Sequence, residues 1–108
     1  MTIQFQPREV ATRGYPWTFV YFHGDAQSEV SRVHPQVHQT DLVVANIPRP
    51  NLAAGETRIE RGTLFGKNVT AHLWADHHGE MHGLVCSDTD RGSCEYAERK
   101  MQKLEIYA

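Results

Sequence analysis

Cysteine is scarce: only Cys86 and Cys94 occur in 108 residues. That excludes the cysteine-dense scaffolds of small secreted domains, and a chain of this length can bury a core without staples. No stretch approaches the roughly 20 apolar residues of a membrane span. The opening residues MTIQFQPREVATRG lack a basic segment followed by an apolar run, and neither Thr2 nor the ending IYA offers a lipid attachment site. The expectation is a cytoplasmic protein that does not enter a membrane, with both cysteines reduced unless they bind metal.

Charge of one sign is lacking too. A net charge of −2 with neutral histidine is the wrong sign for a dedicated nucleic-acid binder and too mild for an acidic mimic of DNA. Repeats, low-complexity tracts and glycine-rich phosphate loops are absent from the sequence, which removes repeat architectures and the common nucleotide-binding motifs.

What is present is a set of short apolar runs separated by turn signals. PWTFVYFHG, from residue 16, is apolar on both faces if extended: Trp17, Phe19 and Tyr21 on one, Val20 and Phe22 on the other. Such a strand is covered on both sides, which places it centrally. Gly24-Asp25 ends it, with Asp25 as cap of a short helix DAQSEVSRV that Pro35 cannot extend. DLVVANI (41–47) and TRIERGTLF (57–65) read as strands flanking a loop at 48–56. Gly66-Lys67-Asn68 then turns the chain into a hairpin of NVTAHLWAD and MHGLVCS.

Cys94, Ala97, Met101 and Leu104 follow helical spacing, with Ser93 as N-cap and LEIYA as a closing strand. Acidic residues early and basic ones late suit the helix dipole. The sum is one α+β domain over residues 1–108. It has an antiparallel sheet of about four to six strands, a C-terminal amphipathic helix on one face and a short helix after the first central strand. Residues 1–14 form an N-terminal arm or edge strand.

Histidine is unusually frequent for a chain of this length. Seven are present, and four fall within HLWADHHGEMH, residues 72–82. Two hairpin registers compete. A two- or four-residue turn on His78-Gly79 points His72 and His82 to opposite faces. A three-residue turn, His77-His78-Gly79, pairs Trp74 with His82 and puts His72, Trp74 and His82 on one face, because one residue of slip reverses every side chain. The sequence leaves both open.

A metal site is formed in one reading by His78, His82, Cys86 and Cys94, a nitrogen and sulfur set that suits zinc but lacks a short C-x2-C knuckle. An enzyme built on His72, His82 and Asp76 is the related alternative, as a metal-dependent hydrolase or an acid–base catalyst. Weaker patterns are His34 and His38 in HPQVH, a lone H-x-T at 38–40, and the truncated calcium-loop pattern at 88–92. Cys94 at a helix start is a candidate nucleophile, although its place on the apolar stripe favours burial.

No cofactor follows from the sequence apart from that zinc reading. The leading expectation is a small non-catalytic protein that blocks or regulates a protein or ribonucleoprotein partner. Its surface anchors would be Arg49, Asn51, Leu52, Trp74, Arg91, Arg99 and Lys103, although for Trp74 packing beneath the C-terminal helix is the favoured alternative. Compact, motif-poor chains of this kind are frequent among phage and mobile-element accessory inhibitors, anti-CRISPR proteins included; that is a matter of base rates and rests on no residue. A ββα nucleic-acid-binding module is a further alternative, and the edge strands leave a homodimer open.

Overall fold

Residues 69–75 and 81–87 alternate two largely apolar or small sets, interrupted only by His72 and His82, and strands of that composition are covered on both faces: every one of these positions is buried. The structure, a computed structural model, describes residues 3–9, 20–36, 42–44, 47 and 51–105. Their order is β1 (Ile3–Gln4), β2 (Pro7–Glu9), β3 (Val20–Phe22), α1 (Asp25–Val33), β4 (Leu42–Val44), β5 (Thr57–Leu64), β6 (Lys67–Ala75), β7 (Met81–Ser87) and α2 (Arg91–Lys103).

The strands form one sheet in the order β1-β5-β6-β7-β3-β4-β2. It is an α+β domain with α2 packed on the sheet and the short α1 following the central β3, as the sequence predicts. The five inner strands carry the architecture, and β1 and β2 are short strips at its two margins. β1 pairs with β5, and β2 with β4, yet only Phe5 and Gln6 separate the two strips. The N-terminal segment therefore spans both edges and rolls the sheet toward a barrel, although β1 covers only Gly62 and Thr63 of the β5 edge.

The expected antiparallel sheet holds for the β5-β6-β7 meander and for β4 with its neighbours. It fails at two places: β3 runs parallel to β7, and β1 parallel to β5, so the sheet is mixed. The sequence hides this because β3 and β7 meet only after an excursion of some 60 residues through α1 and the meander.

Each face has its own core. On one face Val20, Phe22, Val44, Val69, Ala71, Leu73 and Val85 pack with Ala26 and Val30 of α1. On the other Trp74 and Leu84 pack with Ala97 and Met101 of α2, with Tyr21, Tyr96 and Leu104 around them. The stripe expected on α2 is therefore real, with Cys94 and Leu104 only partly buried at its ends.

Three local expectations are corrected. The turn between β5 and β6 is Phe65-Gly66, both with positive φ, rather than Gly66-Lys67-Asn68. The cap of α2 is Asp90, whose side chain accepts from the Ser93 backbone N–H; Ser93 is already helical. Asp25 is the first residue of α1 and not its cap, a position held by Gly24. Residues 10–19, with Trp17 and Phe19, and the closing residues 106–108 lie outside the described residues, as do His38 and Arg49. Among the described residues no helix is long and apolar enough to cross a membrane.

Candidate functional site

The hairpin register fixes what the histidines can do. Trp74 pairs with His82, and His72 with Leu84. This is the three-residue turn, closed by the Asp76 N–H donating to the Glu80 carbonyl at 2.8 Å, with Gly79 at φ 82 in the left-handed position that the bulged turn requires. His72, Trp74, His82, Leu84 and Cys86 therefore share the α2 face. At the turn itself His77 and His78 are exposed.

Asp76 organises that turn. Its Oδ1 accepts from the backbone N–H groups of His78 and Glu80 at 2.8 and 3.0 Å, and its Oδ2 lies 2.9 Å from His82 Nε2. The His82 bond, with the two backbone donors, holds the Asp76 carboxyl below its ordinary range against the opposing effect of burial. An ionised carboxylate only accepts, so Nε2 is the donor. Asp76, Glu80 and His82 are the one group of three metal-capable side chains that converges among the described residues. Since both Asp76 oxygens and the His82 Nε2 are already engaged with one another or with backbone, the group reads as the fastening of a turn.

The zinc quartet is not assembled. Cys86 and Cys94 are bonded to each other as a disulfide, Cα to Cα 5.5 Å, instead of being the reduced or metal-bound pair expected from the sequence. The physical reason is register: Cys86 faces α2, and the first turn of α2 sets Cys94 above it. His82 is committed to Asp76, and His78 is exposed at the turn. The structure likewise joins Asp76 and His82 of the proposed acid–base set, while His72 lies apart, with its Nδ1 3.8 Å from Cys86 Sγ.

The surface anchors are redistributed. Trp74 is fully buried beneath α2 and is no anchor, because the even-numbered positions of β6 face that helix. Leu52 is half-buried against the α1-side core, whereas Asn51, Arg91, Arg99 and Lys103 are exposed.

A groove of about 730 Å³ runs between the outer face of β5-β6 and α2. Its sheet wall is Ile59, Arg61, Thr70 and His72; its helix wall is Arg91, Cys94, Glu95, Glu98 and Met101, with Asp88 at one end. Arg61 Nη1 donates to Thr70 Oγ1 at 3.4 Å, and Thr70 Oγ1 donates to Asp88 Oδ1 at 2.6 Å, so the polar wall is a connected chain. His72 is buried at the floor. Burial depresses its pKa from the ordinary 6.5; Glu98, the Leu84 backbone and Asp88 oppose this, and Arg61 reinforces it. Its imidazole is neutral at pH 7.

Sequence reasoning missed Arg61, Glu95 and Glu98 as members of a site. The signal lay in the β5-β6 turn: placing it at Phe65-Gly66 sets Ile59 opposite His72 and Arg61 opposite Thr70. A comparison with known proteins returns no matching family model, curated protein or solved structure.

Proposed function

We propose that this protein is a non-catalytic binding domain that engages a protein or ribonucleoprotein partner through the β5-β6/α2 groove. The observation carrying this reading is the groove itself. It combines an exposed apolar residue, Ile59, with guanidinium groups at Arg61 and Arg91 and carboxylates at Asp88, Glu95 and Glu98. Apolar contact beside arginine is enriched at the centre of protein-binding surfaces, and charged groups belong to their polar rim. The carboxylates weaken the phosphate-binding alternative, since Glu95 and Glu98 stand on the same wall as Arg91. A blocking role, as an accessory inhibitor, and a cytoplasmic location belong to this proposal as its working form.

The test is affinity capture followed by measured binding to the captured partner. Ile59→Asp and Arg61→Glu should each weaken binding at least tenfold, whereas Arg32→Glu, on the exposed side of α1, should not. Equal binding by all three variants, or no specific partner for the native protein, would overturn the reading. A loss of affinity that tracks salt as steeply as phosphate contacts do would replace it with nucleic-acid binding.

A further inference from the structure

We infer that the Cys86–Cys94 disulfide is a thiol-exchange site, opened through Cys94 by a small zwitterionic thiol lying in the groove. This rests on the surroundings of the two sulfurs and does not depend on the partner-binding reading.

The two cysteines are unequal. Cys86 is wholly buried, whereas Cys94 is partly exposed and lines the groove. An attacking thiolate needs access to the sulfur it strikes, so attack falls on Cys94. Cys86 is then displaced into an environment able to hold a neutral thiol: its Sγ lies 3.6 Å from the Thr70 carbonyl oxygen and 3.8 Å from His72 Nδ1. Cys94 Sγ lies 3.1 Å from the Ser87 carbonyl oxygen, an acceptor for its own S–H. Both reduced sulfurs are thus provided for within the existing fold. Cys94 also sits in the first turn of α2, where a thiolate is favoured for the return reaction.

The exchange balances in two steps. R–SH attacks Cys94; the Cys86–Cys94 bond breaks, an R–S–S–Cys94 bond forms, and the proton given up by R–SH ends on Cys86 as Cys86–SH. A second R–SH attacks the R sulfur of the mixed disulfide, giving R–S–S–R and Cys94–SH. Two thiols are oxidised and one protein disulfide is reduced. The groove selects the thiol: guanidinium groups at Arg61 and Arg91 suit carboxylates, Glu95 and Glu98 suit an ammonium group, and the volume accommodates a molecule of tripeptide size.

The experiment uses the full chain under native conditions, with reduced glutathione as probe and 2-mercaptoethanol as an uncharged comparison at equal thiolate concentration. Acid quenching followed by intact-mass and peptide mapping should find the mixed disulfide on Cys94. Glutathione should react roughly two- to fivefold faster than 2-mercaptoethanol, the scale of exposed ion pairs, and Arg61→Gln with Glu95→Gln should erase the difference. Cys86→Ser, which lacks the disulfide, should instead be given oxidised glutathione: its Cys94 thiolate attacks that disulfide, one reduced glutathione leaves, and the adduct accumulates on Cys94 because no second cysteine displaces it; if that variant does not fold, the quenched native chain carries the same information. An adduct on Cys86, or exchange only after denaturation, would overturn the site. Equal rates for the two thiols would overturn the zwitterionic ligand.

Discussion

The carboxylate of Asp90 accepts a 2.9 Å hydrogen bond from the backbone N–H of Asp25, a residue 65 positions earlier in the chain. The same oxygen accepts from Ser93 Oγ at 2.6 Å, and the other oxygen accepts from the Ser93 N–H at 3.3 Å. One side chain therefore satisfies the first turns of both helices, α1 on one face of the sheet and α2 on the other. The Ser93 and Asp25 bonds hold the Asp90 carboxyl below its ordinary pKa. The arrangement requires Gly24, whose φ of 61 is left-handed and whose absent Cβ leaves the space taken by Ser93 Oγ and Asp90 Oδ2.

Asp90→Ala should therefore cost more than an ordinary cap. A single lost N-cap costs about 1 kcal/mol, and here two helix termini are released together, so roughly 2 kcal/mol is expected. Gly24→Ala should cost at least as much, because it adds a steric conflict to a left-handed backbone. Urea denaturation of the two variants checks this. If each lies within about 0.5 kcal/mol of the native protein, as an ordinary surface change would, the shared cap has no energetic role.

Stability should fall on mild acidification. His72 and His23 both titrate below the ordinary 6.5, in each case mainly because burial disfavours imidazolium; Glu98 is the main opposing charge at His72, and Asp90 opposes at His23. In the unfolded chain these imidazoles take up protons near 6.5, while in the folded protein they resist until lower pH. Below 6.5 the unfolded state binds more protons, so the contribution is complete above that pH and is lost as pH falls toward the folded values. Asp76 and Asp90, depressed from 3.8, act only further down: their contribution is intact above that range and disappears as pH falls through their folded values. The urea midpoint should be lower at pH 5.5 than at pH 7.5, and His72→Gln should shrink the difference. A flat profile over that interval would contradict the burial argument.

Phe65 is a site for stabilisation. It occupies the first central position of the β5-β6 turn with φ 52, followed by Gly66 with φ 80, and the residue is 44% exposed. This is the pattern of a type I′ hairpin turn, in which Asn or Gly leads and a bulky residue is strained. Phe65→Asn should raise stability by roughly 1 kcal/mol, the scale of a left-handed penalty for an ordinary side chain. The expected readout is a higher urea midpoint with unchanged slope. A lower midpoint would show that the ring contributes more by packing than the backbone loses.

Much of this architecture was legible because it is local. The α2 stripe, the bounds of α1 and the two arms of the β6-β7 hairpin follow from spacing and turn residues that lie within a few positions of each other. The disulfide was not legible: it depends on Cys86 facing α2 and on α2 beginning at Arg91, neither of which the spacing of two cysteines encodes. Nor was the groove, since Arg61, His72 and Glu98 belong to three different elements. Trp74 lies between the two cases: its polar neighbours offer it as a surface anchor, packing beneath the C-terminal helix is the favoured alternative, and the burial of those neighbours in β6 decides for packing.

That burial leads to a last expectation. Trp74 is fully enclosed among Leu84, Ala97 and Met101, with its ring tilted against His82 at a centroid distance of 5.9 Å. Its Nε1 is buried and finds no acceptor among the described residues. The ring therefore contributes through packing, and its N–H contributes no hydrogen bond to offset the cost of removing it from water. Trp74→Phe loses some volume but removes that polar cost, so the two effects oppose each other and the change in stability should stay within about 1 kcal/mol. Trp74→Ala empties the space beneath α2 and should cost about 3–5 kcal/mol, the range for a large aromatic removed from a core. Chemical denaturation of both variants separates the contributions. A Phe variant as damaged as the Ala variant would mean that the indole N–H is bonded after all, and that the α2-side core is held by a polar contact as well as by packing.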